Sequence, residues 1–212
     1  MNKGKLYIIS APSGAGKTSL VKRLVSDLDY LTVSVSHTTR QIRTGERHGK
    51  DYYFSTIDEF KQMIAEHAFL EHAQVFDNFY GTAQQSVEDH LDNGTDVILE
   101  IDWQGAQQVR EMMPDCISIF ILPPSIEVLK QRLEKRGQDS KEIIDRRMQD
   151  AVKEMQHCDE FNYLIVNDDF NQALVELKSI IISHRLEKQW QLRKLAPLLK
   201  KLKMSDDLSR GD

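Results

Sequence analysis

Apolar residues in this chain fall in short runs separated by helical periodicities. Leu6–Ser10 is a brief apolar run closed by turn residues, which predicts a buried strand. Lys17–Leu28 places Leu20, Val21 and Leu24 on one side and predicts a helix. Leu31–Ser36 alternates Leu and Val against Thr and Ser, as a strand does. Arg40–Asp51 is polar and carries Gly45 and Gly49, a loop signature, and Tyr52–Phe54 reads as a short strand. Asp58 is the expected cap of a helix running to about His67. Phe69–Phe76 reads more as strand than helix, and Thr82–Asp92 as a helix closed by Asn93-Gly94. Val97–Ile101 and Ile117–Leu122 are further buried strands, the second ended by Pro123-Pro124. Ser125 is placed to cap a helix to about Arg136, and Ser140 to start another reaching about His157. Tyr163–Val166 completes the strands. A long amphipathic helix then runs from about Phe170, with Leu174, Leu177, Ile180 and Ile181 inward and Pro197 interrupting its far end.

Five apolar strands alternating with helices predict an α/β fold with a parallel sheet flanked by helices. Residues from about 37 to 89 break that rhythm with short strands and polar loops, as an inserted mixed α/β subdomain would. No internal repeat or low-complexity tract is present.

The sharpest motif spans Ala11, Pro12, Ser13, Gly14, Ala15, Gly16, Lys17 and Thr18, between the first strand and the first helix. It fits the P-loop pattern except that Ala11 replaces the first glycine. Gly14 and Gly16 allow backbone N–H groups to converge at a helix N-terminus, where the dipole also favours anions. Lys17 supplies a point charge for the β- and γ-phosphates, and Thr18 a hydroxyl for Mg²⁺. An ordinary Gly-rich turn is the bland alternative. The order strand, loop, Gly-Lys-Thr, helix argues against it.

From Thr38 to Phe54 the chain reads T-T-R-Q-I-R-T-G-E-R-H-G-K-D-Y-Y-F, with E-I-D-W-Q-G-A at Glu100–Ala106. Further blocks are F-L-E-H-A-Q at Phe69–Gln74, Y-G-T at Tyr80–Thr82, R-G-Q-D-S at Arg136–Ser140 and I-V-N-D-D at Ile165–Asp169. With the phosphate loop, these resemble the guanylate kinase family from about Lys3 to about Ile182. Ile42 departs from a proline common in the family. The resemblance implies a P-loop kinase core (1–36 and 90–184), a GMP-binding insertion (about 37–89) and a helical lid (about 126–158). A basic helical tail, 185–212, follows. It further implies transfer of the γ-phosphoryl group of ATP to GMP, giving ADP and GDP in purine nucleotide metabolism. The alternative is a non-catalytic guanylate-kinase-like binding module. Such modules typically carry a degraded phosphate loop, whereas this one is intact.

The resemblance implies a role for each matching residue. Lys17, Arg40, Arg132, Arg136 and Arg147 are the expected catalytic set, the last three as lid arginines that clamp phosphate. Asn167 and Asp168 join the phosphate loop on the ATP side. Ser36, Arg40, Arg43, Tyr52, Glu71, Tyr80, Thr82 and Asp102 form the GMP side. Chemistry agrees with this division. Arg40 and Arg43 can grip a monophosphate bidentately, and tyrosine hydroxyls add donors. A carboxylate from Glu71 or Asp102 accepts from the N1 and N2 hydrogens of guanine, while Ser36 and Thr82 donate to O6. Adenine reverses that pattern. Without the resemblance, Glu71 would read as a surface glutamate, Asp102 as a helix cap, and the arginines as solvated charge. Glu100, two residues before Asp102 at a strand end, is the second expected Mg²⁺ group, acting through water.

Composition narrows the class. The chain has 212 residues, 40% hydrophobic and 29% charged, enough for one domain with an insertion. No apolar run approaches the roughly 18 residues of a membrane span. The Leu6–Ile9 run is too short for a secretory signal. Cys116 and Cys158 have no metal-ligand or redox spacing, and read as reduced thiols in a cytoplasmic protein. The formal net charge of −5 argues against a nucleic-acid coat, leaving a nucleic-acid-binding ATPase resting on the basic tail alone. Arg185–Lys203 holds seven basic residues and one acid, with Trp190 and several leucines. Two readings stand for it: a helix packed on the core or on a second copy, or a basic amphipathic segment seeking an anionic partner.

Overall fold

The computed structural model describes residues 3–75, 77–135 and 141–208. Five strands form one parallel sheet: β1 (Leu6–Ser10), β2 (Leu31–Val33), β7 (Asp96–Glu100), β8 (Ile117–Leu122) and β9 (Tyr163–Val166). Their spatial order is β2-β7-β1-β8-β9. Alternation along β1 divides the core. Tyr7 and Ile9 face α1 (Lys17–Asp27) and α7 (Phe170–Arg185), joining Leu20, Leu24, Leu177 and Ile181. Leu6 and Ile8 face the opposite layer, built on α3 (Gln84–Asp92) and α4 (Trp103–Met112) with Val87, Leu91 and Val109. A parallel strand buried on both faces is apolar throughout, which is why these runs were readable.

Four strands of a second sheet lie between residues 37 and 83: β3 (His37–Thr38), β4 (Tyr53–Phe54), β5 (Phe69–Val75) and β6 (Asn78–Ala83), in the order β4-β3-β6-β5. Its small core is aromatic. Phe60 of α2 (Ile57–Ala65) is fully buried and stacks on Phe69 and Phe79 with ring centroids 4.6 and 5.6 Å apart. β5 leans on α4, where the Gln108 side chain both donates to the His72 carbonyl (3.0 Å) and accepts from the His72 N–H (3.1 Å). That amide stands in for a neighbouring strand and occupies what would be an open edge. At the start of β5 the register shifts between Phe69 and Glu71, so Phe69, Leu70 and Glu71 are all buried. A bulge turns a side chain that strict alternation would send elsewhere.

Several expected boundaries move. The strand expected over Leu31–Ser36 ends at Val33, because the chain crosses to the second sheet at His37. The cap of α2 is Thr56, not Asp58: its hydroxyl accepts from the Glu59 N–H while Glu59 reaches back to the Thr56 N–H, a capping box. The helix expected from Thr82 begins at Gln84, since Thr82 and Ala83 end β6. The long C-terminal helix is three: α7 ends at Arg185, α8 spans Lys188–Lys194, and α9 spans Ala196–Leu208. Pro197 lies in the first turn of α9, where a missing N–H costs little. The helices α5 (Ile126–Lys135) and α6 (Lys141–Met155) follow β8, and the Ser125 hydroxyl accepts from the Val128 N–H as expected of a cap.

Candidate active site

All five strands of the main sheet point their carboxyl ends to one edge, the usual ligand edge of such sheets. Ile9 pairs with Glu100 in register, so the loop after β1 and the acidic end of β7 are neighbours. That loop runs from Ala11 to Thr18. Gly14 and Gly16 both adopt φ of +96°, a left-handed conformation that side chains rarely accept. Gly16 has a second constraint, since a Cβ there would lie 2.3 Å from Nδ2 of Asn167. Asn167, buried just beyond β9, donates that amide to the Ala15 carbonyl at 2.7 Å. Its own carbonyl accepts from Nη2 of Arg132 at 2.9 Å. Asn167 therefore braces the glycine loop and anchors Arg132 of α5, while neighbouring Asp168 is exposed.

A cleft of about 490 Å³ opens over the loop and is lined by Lys17, Ser36, Tyr52, Glu71, Tyr80, Glu100, Asp102 and Glu154, among others. Lys17 is half-buried, and desolvation lowers its pKa against the pull of Glu100, Glu154 and Asp102. Thr18 directs its hydroxyl at Glu100 Oε2, 3.4 Å away. Among the described residues no group of three His, Cys, Asp or Glu could hold a metal alone. The paired hydroxyl and carboxylate oxygens at the loop suit Mg²⁺ shared with phosphate and water, since that ion prefers few protein ligands.

Across the cleft, Glu71 is buried and Thr82 donates to its Oε1 at 2.5 Å. Burial pushes the Glu71 carboxyl up to about 7 despite that hydrogen bond, with the Asp102 charge adding to the rise. Thr82 is itself fully buried, and its hydroxyl is directed at the Glu71 carboxylate. Gly105 closes the pocket from the other side, where a Cβ would sit 2.8 Å from Glu71 Oε2. Asp102 caps α4, accepting the Gly105 N–H on Oδ1 at 2.9 Å, and still lines the cleft. The cap reading and the ligand reading of this residue are compatible, because a carboxylate has two oxygens.

Arg40 donates Nη2 to Glu46 Oε1 at 2.8 Å and lies over the Tyr52 and Phe54 rings. Glu46 Oε2 accepts the Arg43 N–H at 2.8 Å. The Arg40 guanidinium holds the Glu46 carboxyl below its ordinary range. Arg43 lines an adjoining cleft of about 1080 Å³ together with Arg147 and Asp150, and the two clefts share Ser13, Asp102 and Glu154. Arg147 donates to the Ser13 hydroxyl. Arg132 keeps one guanidinium nitrogen, Nη1, buried and without a hydrogen bond among the described residues. Arg136 lies outside the described residues.

Sequence reading missed Glu46, Gly105 and Glu154. Glu46 stood inside the quoted Arg40–Asp51 loop and could have been paired with Arg40 by charge. Glu154 follows Arg147 by seven residues, two helical turns, and so shares its face. Gly105 gave no local signal, because its role depends on a carboxylate from another sheet.

Comparison with known proteins agrees with this geometry. The guanylate kinase family model matches residues 3–184. The chain is 57% identical to guanylate kinase of Methylococcus capsulatus over 199 residues, covering 94% of this chain and 98% of the relative. It is 56% identical to guanylate kinase of Escherichia coli K12 over 204 residues, covering 95% and 99%. The crystal structure of guanylate kinase from Anaplasma phagocytophilum superposes with a TM-score of 0.72 at 35% identity, covering 89% of each chain. With a phosphate loop, a facing carboxylate pocket and relatives matched over nearly their whole length, this chain belongs to the guanylate kinase family.

Proposed function

We propose that this protein transfers the γ-phosphoryl group of ATP to GMP, giving ADP and GDP, and so serves purine nucleotide metabolism in the cytoplasm. The observation that carries the reading is one cleft with Lys17 and the glycine loop on one wall and Glu71, Ser36, Tyr52 and Tyr80 on the other. Among the described residues no helix is long and apolar enough to cross a membrane. The intact loop favours this reading over a non-catalytic binding module.

ATP phosphates lie on the loop N–H groups and Lys17, with Asn167 bracing the loop from below. Thr18 and Glu100 are the residues that would hold Mg²⁺, which when bound would offset charge on the nucleotide phosphates. Guanine donates its N1 and N2 hydrogens to the ionised Glu71, which Thr82 and Gly105 hold in place. Arg40, Arg43, Tyr52 and Tyr80 grip the acceptor phosphate, with Glu46 setting the direction of Arg40. That phosphate is largely ionised near neutral pH, since comparable monoesters have a second pKa of about 6, so no general base is needed. Catalysis is positioning and charge stabilisation, with Arg132, Arg136 and Arg147 added as the lid closes and excludes water.

The test is a coupled assay for ADP formation with GMP, AMP, CMP and UMP in parallel. Turnover with GMP far above the other three is expected. Equal turnover with all four, or none with any, would overturn the assignment.

A further inference from the structure

Trp103 stands between Asp102 and Gly105 in the chain, and the chemistry just described uses both of those and leaves it aside. It is the first residue of α4 and is half-buried against the core. Its indole lies flat on the imidazole of His157, with ring centroids 3.6 Å apart and planes 5° from parallel. His157 follows the last residue of α6, Met155, by two positions. A second contact repeats the connection two turns further along α4. Nη2 of Arg110 pairs with Oε2 of Glu160 at 2.7 Å, and Oε1 of the same carboxylate meets Nδ1 of His157 at 2.6 Å. Arg110 also lies over the Phe161 ring, 5.2 Å from its centroid.

Trp103 and Arg110 lie two turns apart on α4, so both project from one side of it. The four side chains form a connected set: ring on ring, ring to carboxylate, carboxylate to guanidinium. Aromatic pairs ordinarily settle with centroids about 4.5–7 Å apart. The closer overlap of Trp103 and His157 has outside support, because Glu160 holds the imidazole and Arg110 holds Glu160. Further up α6, Arg147 donates to the Ser13 hydroxyl of the glycine loop. Arg147 precedes the end of the helix at Met155 by about 12 Å along the axis. A tilt of about 5° at the foot of α6 would therefore carry the guanidinium about 1 Å from its place, and a misplacement of that size can cost about 10²-fold in rate.

We propose that Trp103 and His157 are positioning residues for the phosphoryl transfer: their stack ties the start of α4, beside Asp102, to the foot of α6, and so sets where Arg147 stands at the glycine loop. This rests on the reading of Arg147 as a phosphate-binding arginine. The stack joins the two sides of the reaction. α4 begins with the cap Asp102 and with Gly105, which faces Glu71, while α6 carries Arg147. Neither ring lines the cleft that holds Lys17 and Glu71, and Trp103 lines the adjoining one beside Arg147 and Asp150. The pair acts through the helix it anchors.

The experiment measures kcat and the KM for ATP and GMP in the full chain and in Trp103→Leu, Trp103→Phe, His157→Ala and Arg147→Ala, with thermal melting beside each. Leucine keeps apolar contact with the core but cannot stack, and phenylalanine can do both. Trp103→Leu should lower kcat about tenfold and leave the KM for GMP within about twofold, and Trp103→Phe should recover most of the loss. His157→Ala should match Trp103→Leu. The cycle with Arg147 separates positioning from loosened structure. Each substitution made on top of Arg147→Ala should lower kcat no further, because the group it places is already gone. A parental kcat in both Trp103→Leu and His157→Ala would overturn the proposal. So would a loss that multiplies in full with that of Arg147→Ala, or an Arg147→Ala variant of parental kcat. If Trp103→Leu does not fold, read by circular dichroism, His157→Ala carries the same cycle and decides it. Absence of GMP phosphorylation by the unsubstituted chain would instead overturn the underlying reading of the site.

Discussion

Lys17 and Glu71 are both ionisable groups whose charge is opposed by desolvation, and they answer to opposite demands. In the proposed site Lys17 must stay charged to meet phosphate. Glu100, Asp102 and Glu154 oppose the desolvation that would discharge it. Lys17→Ala should therefore lower kcat on the order of 10²–10³, as loss of one preorganised charge contact does, while thermal melting stays close to that of the parent. Near-normal turnover in a folded variant would refute the role. Glu71 keeps its proton in the folded protein at mildly acid pH, because burial raises its carboxyl to about 7. The folded chain thus binds a proton between pH 4.5 and about 7 that the unfolded chain has released. Its contribution to stability is full below that window and is lost as pH rises through it, by about 1.4 kcal/mol per pH unit. Glu154 has the same direction and range, so melting of Glu71→Gln should keep part of the slope rather than become flat. In the proposed site guanine needs the ionised form of Glu71. GMP affinity should then fall as pH drops below about 7, beyond what titration of the GMP phosphate itself produces, and Glu71→Gln should lose that extra dependence. The same variant should bind GMP about 1–3 kcal/mol less tightly at neutral pH with ATP affinity preserved, because an amide donor now faces the guanine donors. Equal weakening of both nucleotides would assign the effect to misfolding.

At the scale of elements, the site is assembled where one helix start meets another sheet's bulge. The N-terminus of α4 is capped by Asp102 and carries Gly105 in its first turn, against which Glu71 of β5 rests. Gly105→Ala tests this contact in a direction that stability alone cannot mimic. Alanine is favoured over glycine in a helix interior by about 1 kcal/mol, so the helix itself should not suffer. The added methyl must push the Glu71 carboxylate out of place, and the KM for GMP should rise about tenfold, with the KM for ATP and the melting temperature little changed. A fall in melting temperature with no change in the KM for GMP would place the contact outside the guanine site. Elements differ in how plainly the chain announces them. The five strands of the main sheet were legible because burial on both faces demands continuous apolar residues, as in Ile117–Leu122. The phosphate loop was legible because glycine, lysine and threonine at fixed offsets have a chemical reason. β6 was not, since its Asn-Phe-Tyr-Gly-Thr-Ala run is half-buried between β3 and β5 and has no two-residue alternation. α4 was read only through Asp102 as a helix cap, for a related reason: its buried side is made of Gly105, Ala106 and Val109, too small to mark a stripe. Thr56 was passed over for Asp58 because two acceptors stood near the helix start, and only the reach of Glu59 back to Thr56 decides between them.

Across the whole molecule, charge is divided. Arg185–Lys203 carries seven basic residues and one acid within a chain of formal net charge −5, so the remainder is strongly acidic. The first part of that segment is fastened to the core at the edge opposite the phosphate loop. Arg185 pairs with the buried Asp96 at 2.7 Å and donates to the Asp29 and Tyr30 carbonyls. Glu187 pairs with Lys5 at 2.8 Å, and Lys5 lies 5.0 Å from the Trp190 ring centroid. Packing of Trp190 agrees with the core-docking reading. Beyond it the leucines turn outward: Leu192, Leu195, Leu198 and Leu202 are all exposed. The reading that gives this end to a second copy of the chain, through leucine contact and opposite charge, is the one that truncation tests. Truncation after Leu192 separates these parts, because it keeps Arg185, Glu187 and Trp190 and removes α9. The melting temperature of dilute protein should fall only slightly, and kcat should hold, since no described tail residue lines the cleft. Size-exclusion at rising protein concentration should show the full chain associating and the truncated chain remaining monomeric, with high salt weakening the association of the full chain. Equal elution of the two at every concentration would leave the leucines without a partner in a second copy, and abolished activity with unchanged mass and melting would give the tail a direct part in the chemistry.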